Sequence, residues 1–202
     1  MDEKFNRREM LKLVGAGAVA CLPGLAVTPS AIAEDGVAEV RVESFYPRGQ
    51  WFYEPAGIYI PVGTKVRWIS NDYGATVSSF HPSIDNHELR MPEKAKPFDS
   101  GILARYGRYR TFEWTFEVEG TYDYFSRTFE PIGMVGRIIV GKPGGPGEWP
   151  PGYGGREGRA VVFPAQAKIL AALPSGEIVA KKTLPYPKDL VVRSFPFGDL
   201  NR

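Results

Sequence analysis

Thiols and imidazoles are scarce in this chain. Its 202 residues include one cysteine and two histidines, and the cysteine, Cys21, lies close to the N-terminus. Beyond Cys21 there is no thiol for a disulfide, for nucleophilic catalysis or for a thiolate-bound metal. His81 and His87 stand next to no motif partner, and scattered carboxylates identify no reaction, so no enzyme is expected. Strong net charge is missing too. The 25 Lys and Arg against 23 Asp and Glu leave a net of +2, too mild to argue for a nucleic-acid partner.

The charge that is present is unevenly placed. Residues 34–140 carry 12 basic and 15 acidic side chains, a net of −3, and residues 141–202 carry 9 and 5, a net of +4. Such a tail is expected to meet the body or an acidic partner; plainly solvated charge is the other reading. With 43% hydrophobic and 13% aromatic residues, the chain is long enough for one good core and an appendage.

The first 33 residues read as an export signal. Asn6-Arg7-Arg8-Glu9-Met10-Leu11-Lys12 matches the twin-arginine pattern, and a weakly apolar Ala/Gly-rich run follows over 13–27. Pro29 and then Ala31-Ile32-Ala33 form a small-x-small cleavage site before Glu34. The expected location is therefore periplasmic or otherwise extracytoplasmic. Two alternatives would leave the protein on a membrane. Ala18-Val19-Ala20-Cys21 is a fair lipobox, in which Cys21 would be lipidated, and the apolar run would serve as an anchor if it stayed uncleaved.

From Glu34 to Gly141 the pattern is that of strands. Residues 37–44 and 65–69 alternate at period two, 52–60 follow with a Pro61-Val62-Gly63 turn, and 98–103 and 109–118 come later. The organising stretch is 120–140, GTYDYFSRTFEPIGMVGRIIV, with strands at 121–125 and 134–140 joined by a tight loop. Its first strand alternates aromatic and polar residues, as a half-buried strand does. Tyr122 and Tyr124 follow Gly120 and read as a tyrosine corner, a phenol bonded back to the backbone. Seven or eight short strands with Gly and Pro punctuation predict an all-β sandwich.

This closing hairpin resembles that of the plastocyanin-like cupredoxins, secreted Greek-key β-sandwich proteins that carry one copper ion. The upstream Phe-x-Pro-x and Pro-x-Gly-x-x-Val-x-Trp texture, ending at Trp68, is similar as well, and the resemblance covers about half the chain. In that family the loop reads Cys, two residues, His, four residues, Met, and a further His lies upstream in Pro-His-Thr-Val. Laid on that pattern, Ser126 takes the Cys position, Phe129 the His position and Met134 the Met position. Gly74-Ala75-Thr76-Val77 puts Ala75 at the upstream His. Blue-copper sites are trigonal, His₂Cys with a weak axial Met, so only the weakest ligand is kept. The resemblance thus implies the fold but a degenerate copper site, and no cofactor is expected.

His81, His87 and Met91 form His, five residues, His, three residues, Met, which would suit a surface copper or zinc clip. Two solvated histidines in a loop are the plainer reading. Residues 142–158 are a Pro/Gly linker, and the rest of the tail to 202 carries apolar clusters between prolines. Pro164 is placed for N1 of a helix over 165–173, stopped by Pro174. The three segments are thus a signal peptide at 1–33, a sandwich at 34–141, and a largely irregular linker and tail at 142–202. The tail either wraps the sandwich or binds another protein, and the apolar face near Phe129 and Met134 is the other candidate contact. Together these features predict a copper-free accessory or binding subunit of a periplasmic or membrane-associated complex, electron transfer included. The alternative is a copper-handling electron carrier that uses the His/Met clip.

Overall fold

The computed structural model describes residues 36–46, 49–152 and 163–190. The signal segment, Cys21, the end of the linker and the last apolar cluster lie outside the described residues.

Among the described residues nine strands form two sheets. β1 (Val37–Phe45), β2 (Gln50–Glu54), β4 (Lys65–Ser70) and β6 (Thr111–Thr115) make the first, in the order β2-β1-β4-β6. β3 (Gly57–Ile60), β5 (Ser78–Ser79), β7 (Gly120–Phe125), β8 (Val135–Val140) and β9 (Thr183–Leu184) make the second, in the order β5-β7-β8-β3-β9. The run 52–60, read as one strand, breaks at Pro55-Ala56 and changes sheet there. Residues 98–103 make only a single bridge, Ser78 to Asp99.

The first sheet keeps the period-two logic of its sequence. Val40, Val42, Val66 and Trp68 are wholly buried between the sheets, and the intervening charged residues face out. On that outer face Arg67 reaches Glu113 on the neighbouring strand at 2.6 Å and Lys65 reaches the same carboxylate at 3.0 Å. The second sheet departs from the expected half-burial. Every residue of β7 and β8 is buried, Thr121, Asp123 and Phe125 included. Tyr122, Tyr124, Ile138 and Val140 fill the inter-sheet core, while Phe125, Val135 and Ile139 belong to a second core on the other face. Tyr122 is the corner residue, its hydroxyl donating to the Val118 carbonyl at 2.6 Å. Gly136 is needed because a Cβ there would collide with the Tyr124 phenol.

The tail supplies the second core. Two short helices, α1 (Pro164–Ala171) and α2 (Ser175–Lys181), lead into β9, which pairs antiparallel with the edge of β3. Pro164 sits in the first turn of α1, as its position in the chain predicts, whereas Pro174, expected only to stop that helix, is the N-cap of a second one, α2. Ile169, Leu170, Leu173, Ile178, Leu184 and Tyr186 pack against Phe52, Phe80, Phe125, Val135 and Ile139. Of the two fates open to the tail, its described part wraps the sandwich.

A buried ionic cluster ties the layers together. Asp123 accepts from Arg90 Nε at 2.9 Å and from Arg137 Nε at 2.7 Å. Both arginines also donate to the Gly147 carbonyl at 3.0 Å, and Arg137 donates to the Leu173 carbonyl at 3.0 Å. Glu88 accepts from Arg90 at 3.1 Å and from the Gly152 N–H at 3.0 Å. Two cations and two carboxylates out of water are tolerable only because nearly every donor has an acceptor. Among the described residues no helix is long and apolar enough to cross a membrane.

Candidate functional site

The loop between β7 and β8 is shaped by its own backbone. The Ser126 N–H donates to the Met134 carbonyl at 3.0 Å, Phe129 N–H to Ser126 at 3.1 Å and Met134 N–H to Phe129 at 3.2 Å. Glu130–Ile132 form a single 3₁₀ turn that Gly133 ends at φ 85°. A Cβ on Gly133 would stand 3.0 Å from the Ala165 Cβ, so α1 lies directly against this loop.

The structure brings Ala75, Ser126, Phe129 and Met134 to one end of the sandwich. Ala75, Ser126 and Met134 have no exposed surface. The Ser126 hydroxyl accepts from the Thr76 N–H at 3.1 Å, and Tyr53 donates to the Thr76 carbonyl at 2.6 Å. Burial pushes the Tyr53 phenol well up, so it stays protonated. Phe129 is half-buried and stacks on Trp51, with centroids 4.6 Å apart and planes 10° from parallel. Trp51 Nε1 donates to Asp72 at 3.2 Å, and Tyr46 donates to the same carboxylate at 2.7 Å. Burial disfavours the Asp72 charge, but the donors Ser44, Tyr46, the Tyr73 N–H and Trp51 outweigh it and hold its pKa below the usual range.

These four positions do not fit a type 1 copper ion. A methyl, a protonated hydroxyl, a phenyl ring and a thioether offer one weak soft donor where a thiolate and two imidazoles are needed. Among the described residues no buried side-chain nitrogen or oxygen of this loop lacks a hydrogen-bond partner.

The second candidate set is not assembled. His81 is half-exposed, with Nδ1 against the Ser83 hydroxyl at 2.7 Å, and Met91 is wholly buried in the inter-sheet core. His87, expected in solvent, is buried and stacks on Phe125 at 4.2 Å. Its Nδ1 faces the carbonyls of Ile84 and Asp85, each at 3.2 Å, and its Nε2 faces Glu130 Oε1 at 2.6 Å. Both nitrogens face protein oxygens, and neither His81 nor Met91 is beside them. Glu130 Oε1 also accepts from Gln166 of α1 at 2.6 Å. Among the described residues no three His, Cys, Asp or Glu side chains gather as a metal site.

Trp51, which stacks on Phe129, and Tyr46 and Asp72, which hold Trp51, carry no motif and are found only in three dimensions. The interleaved Arg105-Tyr106-Gly107-Arg108-Tyr109-Arg110 beside them is a signal that composition could have flagged.

The two sheets, their order and the closing hairpin define a cupredoxin fold. A pseudoazurin from Methylobacterium extorquens AM1 superposes with a TM-score of 0.51 at 16% identity, over 67% of this chain and 94% of that one. A pseudoazurin from Sinorhizobium meliloti gives 0.48 at 22% identity, over 68% and 96%. A purple cupredoxin from Nitrosopumilus maritimus gives 0.38 at 26% identity, over 51% and 98%. No known family profile matches the sequence.

Proposed function

We propose that this chain is an exported cupredoxin-fold protein that has given up type 1 copper chemistry and serves as a binding or accessory subunit outside the cytoplasm. The observation that carries this reading is the Trp51–Phe129 stack, an aromatic ledge standing where the fold family places an imidazole ligand. Ser126 and Ala75 support it, since both are buried among neighbours that already satisfy or pack them. The twin-arginine segment supports export. The complex served is periplasmic or membrane-associated, an electron-transfer assembly included.

The test is copper content and visible absorbance of the mature chain purified after incubation with Cu(II). A colourless protein without stoichiometric copper is expected, and so is a colourless Ser126→Cys variant, because one thiolate without its imidazoles does not build the trigonal site. Stoichiometric copper with an intense visible band in the unmodified protein would overturn the reading.

A further inference from the structure

We propose that the loop 101–110 is the contact element of this face and that its partner is an acidic protein surface; the inference rests on the reading above and adds the partner's chemistry. Among the described residues nine large apolar or aromatic side chains are exposed. Six of them, Phe45, Tyr46, Tyr73, Ile102, Tyr106 and Tyr109, lie at the end of the sandwich that carries Ala75 and Phe129. Phe45 ends β1, Tyr46 touches Trp51 edge-on at 5.6 Å, and Tyr73 meets Tyr106 at 6.3 Å. Exposed apolar side chains scattered singly are ordinary, but a gathered set marks an interaction site.

The loop is held in place before any partner arrives. Leu103 is buried, its N–H donates to the Ala75 carbonyl at 2.7 Å, and its carbonyl accepts from Gly74 at 3.2 Å. Ala104 N–H closes the loop on Tyr109 at 2.9 Å. A pre-ordered loop loses little conformational freedom on binding. All six residues from 105 to 110 are exposed.

Charge identifies the partner. Arg105, Arg108 and Arg110 have no carboxylate among them, since the sequence holds none between Asp99 and Glu113. Arg105 and Arg108 lie over the Tyr106 and Tyr109 rings at 5.5 and 4.7 Å, and Arg110 reaches the Asn71 amide at 3.5 Å. Among the described residues none of the three ends on an acid. Arg127 nearby differs, being paired with Asp85 at 2.5 Å and Asp99 at 2.8 Å. A guanidinium stacked on a ring keeps edge N–H groups for a carboxylate, and Arg and Tyr are the side chains that dominate binding hot spots. Residues 34–140 are net −3 and residues 141–202 net +4, so the two together carry only +1. With so small a net charge, an extended polyanion such as nucleic acid or an anionic membrane finds no basic field beyond the loop, whereas a local cluster of carboxylates on a protein needs only the three arginines.

The test titrates the ¹⁵N-labelled mature chain with a capped octapeptide alternating glutamate and leucine, with the lysine–leucine peptide as control. Amide shifts are expected on Tyr73, residues 102–110 and Phe129, with an affinity that falls steeply with added salt. Replacing Arg105→Gln, Arg108→Gln and Arg110→Gln together should weaken binding about tenfold. Tyr106→Ser should weaken it with the charge intact, and this variant decides if the triple one does not fold. Absence of glutamate-peptide binding, equal binding of the lysine peptide, or shifts elsewhere would overturn the proposal. So would tighter binding to phosphatidylglycerol vesicles than to the peptide. Self-association lost in the triple variant would overturn it in favour of a second copy. The copper measurement stands apart: a colourless, copper-free protein that ignores the peptide refutes only the partner chemistry.

Discussion

Ending the chain at Gly141 should destroy the sandwich, although the Pro/Gly linker after it looks like a domain boundary. The cut removes Ile169, Leu170, Leu173, Ile178, Leu184 and Tyr186, each at most 7% exposed in the folded chain. Each contributes about 1.5–3 kcal/mol by burial. A domain's whole stability is about 5–15 kcal/mol, so six such losses are of the same size as the total. The body suffers as well. Phe80, Phe125, Val135 and Ile139 would face water, the edge of β3 would lose β9, and Arg90 and Arg137 would lose the Gly147 and Leu173 carbonyls. Thermal melts followed by circular dichroism, with a dye that binds exposed apolar surface, should show no cooperative transition and strong dye binding. Leu173→Ala gives a graded version, with an expected loss of about 2–5 kcal/mol in urea unfolding. A truncated protein that melts cooperatively within about five degrees of the full chain would refute the argument, because a loss of this size would have to move the midpoint much further.

Asp123→Asn removes the carboxylate that Arg90 and Arg137 share in a dry interior, leaving Arg90 only Glu88, and should cost about 3–5 kcal/mol, read as a shift of the urea midpoint; a loss under about 1 kcal/mol would show that the cluster reorganises freely. Stability should also depend on pH through His87. Burial pulls its pKa down, but the hydrogen bond and charge of Glu130, with the Asp85 and Ile84 carbonyls, outweigh it and the net shift is upward. The stabilisation is therefore complete below the unfolded value of 6.5 and is lost as pH rises through the higher folded value. Asp85, held down by Arg127, titrates in acid and does not confuse this window. Melting temperature against pH should decline there, and His87→Gln should flatten the decline.

The hairpin, the tyrosine corner and the alternating strands of the first sheet were legible because each is a local pattern. The second core was not. Asp123 alternates with Tyr122 and Tyr124 as a solvent-facing residue would, and its partners Arg90 and Arg137 lie 33 and 14 positions away. Nothing local announces that Asp123 and Glu88 will meet Arg90 and Arg137 in one buried cluster under a tail. The prolines of that tail were a poor guide for the same reason. Pro164 and Pro174 start its two helices, and the apolar clusters needed only a receiving face to become core. His87 was misread in the same way. A lone histidine in a polar loop looks solvated until Phe125 and Glu130 are seen to enclose it.

The β7–β8 loop is held by its own hydrogen bonds, which is what allows the proposed reading of a cupredoxin fold without type 1 copper. Its shape comes from backbone bonds between Ser126, Phe129 and Met134 and from the Gly133 turn. The position of a thiolate is filled by a hydroxyl that takes the Thr76 N–H, so no donor is orphaned. The position of an imidazole is filled by a ring that stacks on Trp51, so the end of the sandwich stays packed. The same end carries the Trp51–Phe129 stack beside Arg105, Arg108 and Arg110, none of which ends on an acid among the described residues, and this is the arrangement that the proposed peptide titration tests.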